Sequence, residues 1–396
     1  MQANKLLKGV TVIIVAAVFS LAGLGSAAAD KDKNTLYIGG VYDFVNLCAP
    51  YDITAHEGVQ IAVDEINAAG GVGGKYKIEY DFKDCRNEAG PQVSMTKELL
   101  DDGIDVLITT GCTQGVIVMG KLAQKKSVPA ITPGNSPPVL WDLVGDNLFI
   151  VNQSDSMMGA ALAKYAIEQG HKTAYLFINP EDIYTRDLPK YFQAAFEKNG
   201  GKIVGEGIWS FGSTDASVEI EKLKKIQPQP DLIMGCQLSQ WFSAFITNLR
   251  AVGITSDYYG GDVMDDPAAI GLGKVVEKDL VFVSAAVDLP GSLTEKFNKK
   301  YKDRYGRENQ TAFAMFGYDT VKLIEAAVLK AGSTDSKAIR NELVKLENVK
   351  GATTPMSYNG QQYVNRPIAI CDIKDGQKKL IKWIQLTTED IPATIH

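Results

Sequence analysis

Apolar and polar positions along the chain switch repeatedly between a period of two and a period near 3.6, which predicts strands alternating with helices. Residues 36–41 read as a first strand. Thr54-Ala55-His56-Glu57 fits a capping box, so a helix is predicted to open at Thr54; Val59, Ala62, Val63 and Ile66 give its apolar face, and Gly70-Gly71 closes it. A strand over 78–82, a helix opened by Pro91, a strand over 106–109, a helix running to Gln124 and a strand over 128–131 follow. A second series begins with a helix over 157–168, a strand over 173–178, a helix over 187–199, a strand over 203–209, a helix over 218–225 and a strand over 232–235. A helix over 240–252, the segment 258–262, a strand over 280–283, and helices over 292–305 and 312–330 continue it. The end changes character: Asn359-Gly360 and Asp375-Gly376 are hairpin-type turns around apolar runs at 368–373 and 380–384, which predicts antiparallel strands.

Alternation of this kind builds a mostly parallel sheet wrapped by helices, and two such series predict an α/β protein of two doubly wound lobes. The length of 396 residues exceeds what one core usually serves. No low-complexity linker separates the series, so the lobes are expected to share backbone crossings and not a flexible tether.

Lys5 and Lys8 precede an apolar run over 10–24 and then Ala27-Ala28-Ala29, the layout of an export signal cleaved after Ala29. The run is short for a membrane span, and Asp30 stands where a lipoprotein needs Cys. Loss of Lys5 and Lys8 takes the formal charge from −6 to −8. That balance, with no basic run, argues against a nucleic-acid partner. Five cysteines follow the signal, Cys48, Cys85, Cys112, Cys236 and Cys371, in spacings that match no metal site. In an oxidising compartment a disulfide is expected, and the odd count leaves at least one thiol unpaired within the chain.

Catalytic signatures are missing. The chain has no GxxxxGK[ST] and no Gly-x-Ser-x-Gly, and Gly71-Val72-Gly73-Gly74 is too incomplete for a dinucleotide fingerprint. Three histidines, His56, His171 and His396, leave little material for a triad or a metal site. A two-carboxylate mechanism stays open with 47 acidic residues, but the expectation is a protein that is not an enzyme and carries no cofactor or metal.

Three segments taken together, 57–67 with Gly70-Gly71, then 128–134, then Asp182-Ile183-Tyr184, resemble type I periplasmic solute-binding proteins of the branched-chain amino-acid (leucine/isoleucine/valine) receptor group of ABC importers. The resemblance spans nearly the whole mature chain. It implies two α/β lobes joined by three hinge crossings, with residues 30–152 plus 286–352 in one and 153–285 plus 353–396 in the other. It implies a periplasmic, monomeric receptor that closes around an amino acid and delivers it to a membrane permease.

By the same resemblance Thr113 and Ser136 grip the ligand carboxylate at turns where strand ends meet helix starts, which suits the free amides and dipole there. Asn135 adds a carbonyl for the ammonium, Asp262 pairs with that ammonium from across the cleft, and Tyr51 and Tyr184 cover the ligand. Gln237 stands where relatives often carry an aromatic, which leaves the ligand's identity open. Cys85 and Cys112 fall where the family has a disulfide. Two alternatives accompany this reading: a ligand that is an aromatic or aliphatic carboxylate without an amine, and a sensing module that docks on a signalling receptor.

Overall fold

The strand β1 (Thr35–Tyr42) opens the described part of the chain: the computed structural model describes residues 32–277 and 279–396, without the side chains at 239 and 240. The export segment at 1–29 and its cleavage point lie outside those residues. After β1 come α1 (Ala49–Ala68), β2 (Lys77–Asp84), α2 (Ala89–Asp101), β3 (Val106–Ile108), α3 (Thr113–Lys126), β4 (Ala130–Thr132), α4 (Leu140–Val144) and β5 (Leu148–Ile150). The five strands form one parallel sheet in the order β2-β1-β3-β4-β5. Val106, Leu107 and Ile108 are wholly buried, as a central strand covered by helices on both faces must be.

A second series holds α5 (Asp155–Glu168), β6 (Thr173–Ile178), α6 (Ile183–Lys198), β7 (Lys202–Ile208), α7 (Ser217–Lys224), β8 (Leu232–Gly235), α8 (Ser239–Ala251), β9 (Asp257–Gly260), α9 (Pro267–Ile270) and β10 (Leu280–Ser284). The helices α10 (Leu293–Tyr305), α11 (Ala312–Ala331) and α12 (Ser336–Leu343) come next, with α10 and α11 packed on α1, before the hairpin β11 (Ile368–Lys374) and β12 (Gln377–Ile384) rejoins the second sheet. That sheet runs β12-β11-β10-β9-β8-β6-β7, parallel except where β11 meets β10 and β12. The architecture is the expected one of two α/β lobes whose chain crosses between them three times, after β5, after β10 and after α12.

The start of α1 differs from its prediction. Helix α1 begins at Ala49, with Pro50 in the first turn, where a missing N–H costs nothing. Thr54 therefore lies inside the helix, its hydroxyl turned back to the Tyr51 carbonyl at 3.0 Å, and Glu57 pairs with Arg307 at 2.6 Å instead of closing a capping box. Helix α6 also starts earlier than its pattern predicts: Asp182 caps it by accepting from the Thr185 amide at 3.2 Å.

A buried ion pair ties two of the crossings together. Arg366, on the third, donates to the Val151 carbonyl on the first at 2.5 Å and to the Thr353 hydroxyl at 2.6 Å, with Asp319 of α11 3.9 Å away. Burial pulls the guanidinium pKa down to about 10, so the group stays charged at neutral pH, and the Asp319 carboxylate is further held by the Ala352 amide at 2.5 Å.

Candidate ligand-binding cleft

Buried β3 ends in a sharp turn over 109–112 from which α3 rises, with Thr113 as its first residue and Cys112 as its N-cap. The amides at the start of a helix have no carbonyl of their own helix to bond, and the dipole makes that end positive. Asp52 of α1 holds the turn from behind. Its Oδ1 accepts from the Gly111 amide at 2.7 Å, and its Oδ2 accepts from the Asp43 amide at 2.7 Å and from the Thr110 hydroxyl. Burial pushes this carboxyl up to about 7 against those bonds. Asp43 in turn folds the loop ahead of α1 by accepting from the amides of Val45, Asn46 and Cys48 at 3.1, 2.8 and 2.9 Å.

That loop corrects the expected disulfide. Cys112 is bridged to Cys48, with Cα atoms 5.8 Å apart, and not to Cys85. The loop folded by Asp43 lays Cys48 over Cys112, so the bridge joins the start of α1 to the start of α3. Cys85, whose amide bonds the Tyr42 carbonyl at 2.7 Å, belongs instead to the apolar cluster of Val41, Leu99 and Leu107. Burial raises its thiol to about 12, which leaves it unreactive. Cys236 and Cys371 are also buried free thiols. Asp43 lies within 4.8 Å of both bridged sulfurs, but the sulfurs are bonded to each other and the carboxylate is taken up by amides.

After β4, Asn135 lies beside the same turn and donates its side-chain amide to the Gly111 carbonyl. From the second lobe, Tyr184 on the first turn of α6 donates its hydroxyl to Asp262 Oδ1 at 2.9 Å, and Asn152 on the first crossing donates to Asp262 Oδ2 at 2.6 Å. Asp262 opens the short turn after β9 and is buried, which raises its carboxyl above the usual range while these two bonds favour the charged form.

A cavity of about 160 Å³ collects these groups between the ends of the two sheets. Five of the seven residues expected at a ligand line it: Tyr51, Thr113, Asn135, Tyr184 and Asp262. Two do not. Ser136 is buried behind the loop, where its carbonyl accepts from the Asp155 amide at 3.1 Å. Gln237 is 1% exposed and turned into the second lobe, its side-chain carbonyl accepting from the Tyr258 hydroxyl.

Sequence reasoning missed Leu47, Glu181, Asp182, Phe211, Leu238 and Phe313, all of which line the cavity. Asp182 carried a signal, since an Asp immediately before a helix is a preferred cap. The apolar walls carried none: Phe313 meets Tyr51 with ring centroids 4.7 Å apart across a sequence gap no pattern spans, and Phe211 rests on Trp241 at 5.1 Å. Among the described lining residues are three carboxyls, Glu181, Asp182 and Asp262, and no Lys or Arg.

A cleft between two α/β lobes joined by backbone crossings, walled by apolar rings and edged by hydrogen-bonding groups, defines a solute-binding receptor. The chain belongs to the periplasmic binding protein family, whose sequence profile matches residues 9–378. The family is one of extracytoplasmic receptors, not enzymes. Among its relatives, the Leu/Ile/Val-binding protein homolog 3 of Brucella melitensis is 24% identical over 327 residues, 82% of this chain and 86% of that one. The Leu/Ile/Val-binding protein BraC3 of Rhizobium johnstonii is 24% identical over 358 residues, covering 89% and 93%. In fold, the chain is similar to the leucine-binding protein LivK of Thermotoga maritima, with a TM-score of 0.79 and 24% identity over 90% of this chain and 100% of that one. It is similar too to a solute-binding protein of R. palustris solved in complex with benzoate, with a TM-score of 0.77 and 19% identity over 91% and 100%.

Proposed function

We propose that this receptor captures a zwitterionic amino acid with an apolar side chain and delivers it to the membrane permease of an ABC importer. One juxtaposition carries the reading: the amide-rich start of α3 at Thr113 and the Asp262 carboxylate open into one cavity from opposite lobes. An α-carboxylate suits the first, because unpaired amides and the helix dipole favour negative charge. An α-ammonium suits the second as a charge-assisted partner. Tyr51, Phe211, Leu238 and Phe313 supply apolar wall for the side chain. Asn135 orders the turn from its place beside Gly111, and Tyr184 holds Asp262 while closing the second-lobe side.

The same reading assigns residues 30–152 plus 286–352 to one lobe and 153–285 plus 353–396 to the other, with ligand stabilising the closed arrangement by binding it preferentially. It has the chain exported to the periplasm with cleavage after Ala29 and acting there as a monomer with no nucleic-acid partner. Names of relatives such as the Leu/Ile/Val-binding proteins support the ligand class.

The benzoate complex of the R. palustris protein supports a second reading, a carboxylate with no amine. Three carboxyls without a cation in the lining favour the amino acid, since a bare anion finds no counter-charge there. Calorimetric titration with L-leucine and with benzoate separates the two. We expect L-leucine to bind and Asp262→Asn to weaken it by about 2 kcal/mol, the scale of losing a charged hydrogen bond in a buried site. Benzoate bound more tightly than L-leucine, with no effect of Asp262→Asn, sinks the amino-acid reading.

A further inference from the structure

The turn that presents Asp262 to the cavity carries two more acidic residues, and each has a different task. Asp266 caps α9 by accepting from the Ala268 amide at 2.8 Å. Asp265 points away from the cavity, toward the second crossing. Its Oδ2 accepts from Lys378 Nζ of β12 at 2.7 Å and from the Ser284 hydroxyl at the end of β10, also at 2.7 Å. Lys378 donates as well to the carbonyl of Ala286, within that crossing, at 2.7 Å, and the Ala286 amide returns a bond to Ser284 Oγ at 3.0 Å. The Asp265 side chain is 1% exposed and that of Lys378 18%, so the ion pair is largely shielded from water.

Asp262 and Asp265 belong to one hydrogen-bonded turn. The Asp265 amide bonds the Asp262 carbonyl at 2.9 Å, and the Met264 amide bonds that of Gly261 at 3.1 Å. The same short turn therefore reaches the first crossing through Asn152 and the second through Lys378 and Ser284. Asn152 extends the link to the other lobe, because its side-chain amide lies 3.3 Å from the Gly134 carbonyl.

We propose that Lys378 is a positioning residue for ligand capture: through Asp265 it clamps the Asp262 turn to the crossing after β10, so that contact at Asp262 is coupled to the hinge. The inference rests on Asp262 being a ligand contact. Lys378 itself does not line the cavity, so its effect on binding must pass through the turn. A buried pair stripped of one partner leaves an uncompensated charge, so Lys378→Met alone risks misfolding. Asp265→Asn/Lys378→Met removes both charges and keeps the shape.

The test compares wild type, Lys378→Met, Lys378→Arg and the double variant, by L-leucine titration, dissociation rate and hydrogen exchange at 262–266 without ligand. Coupling energies of this kind predict about a tenfold loss of L-leucine affinity in the double variant, chiefly through faster dissociation, with Lys378→Arg close to wild type. Exchange at 262–266 should quicken in the double variant. Wild-type affinity in the double variant overturns the proposal. If wild type does not bind L-leucine, the amino-acid reading fails by itself and exchange decides: faster exchange at 262–266 supports the clamp, and unchanged exchange overturns it.

Discussion

His56 lies among Tyr42, Phe44, Tyr80 and Phe82, with its ring 4.2 Å from that of Phe82 and its Nδ1 2.9 Å from the Tyr80 hydroxyl. Burial lowers its pKa from 6.5 to about 4. The unfolded chain therefore takes up this proton first as pH falls, and the folded state loses stability between about 6.5 and 4. Above that window the contribution is complete. His56→Gln should abolish this component of the acid slope, measured by urea unfolding at steps of pH; identical slopes in the two proteins refute the assignment. The sequence pattern puts His56 in a capping box at a helix start and names none of the rings that bury it. Thr113 and Asp262 are legible through the resemblance to the receptor family, each lying in the turn that follows a strand. Gln237 follows a strand too, but its direction depends on Tyr258, a partner no local pattern names.

Helices α1 and α11 cross where Gly58 meets Ala314 and Gly317 meets Ala55. A Cβ at either glycine would overlap a backbone carbonyl oxygen of the facing helix. Neither glycine is needed for φ; each is needed for close approach. Gly317→Ala should cost roughly 2–3 kcal/mol of unfolding free energy as overpacking, and a loss under about 0.5 kcal/mol in urea titration contradicts this packing. The Cys48–Cys112 bridge also works between elements, since it fastens the starts of α1 and α3 beside the cavity. Digestion without reductant should yield a peptide pair containing Cys48 and Cys112, and denatured, unreduced protein should titrate three thiols, those of Cys85, Cys236 and Cys371. A pair containing Cys85 contradicts it. Family likeness points to Cys85 because cysteine spacing alone is blind to how the Asp43 loop folds.

Across the molecule, the chain's own order of strands and helices determined the two α/β lobes and the antiparallel end of the second sheet, features that follow from local periodicity and turn chemistry written in neighbouring residues. Resemblance to the receptor family, not periodicity, singled out Thr113, Asn135 and Asp262. Only the tertiary structure decided the partner of Cys112, the apolar walls from Phe211 and Phe313, the exclusion of Ser136 and Gln237 from the cavity, and the tie from Asp265 to Lys378. Each of these joins residues that no local pattern pairs, so its geometry exists only once the elements that carry them have packed.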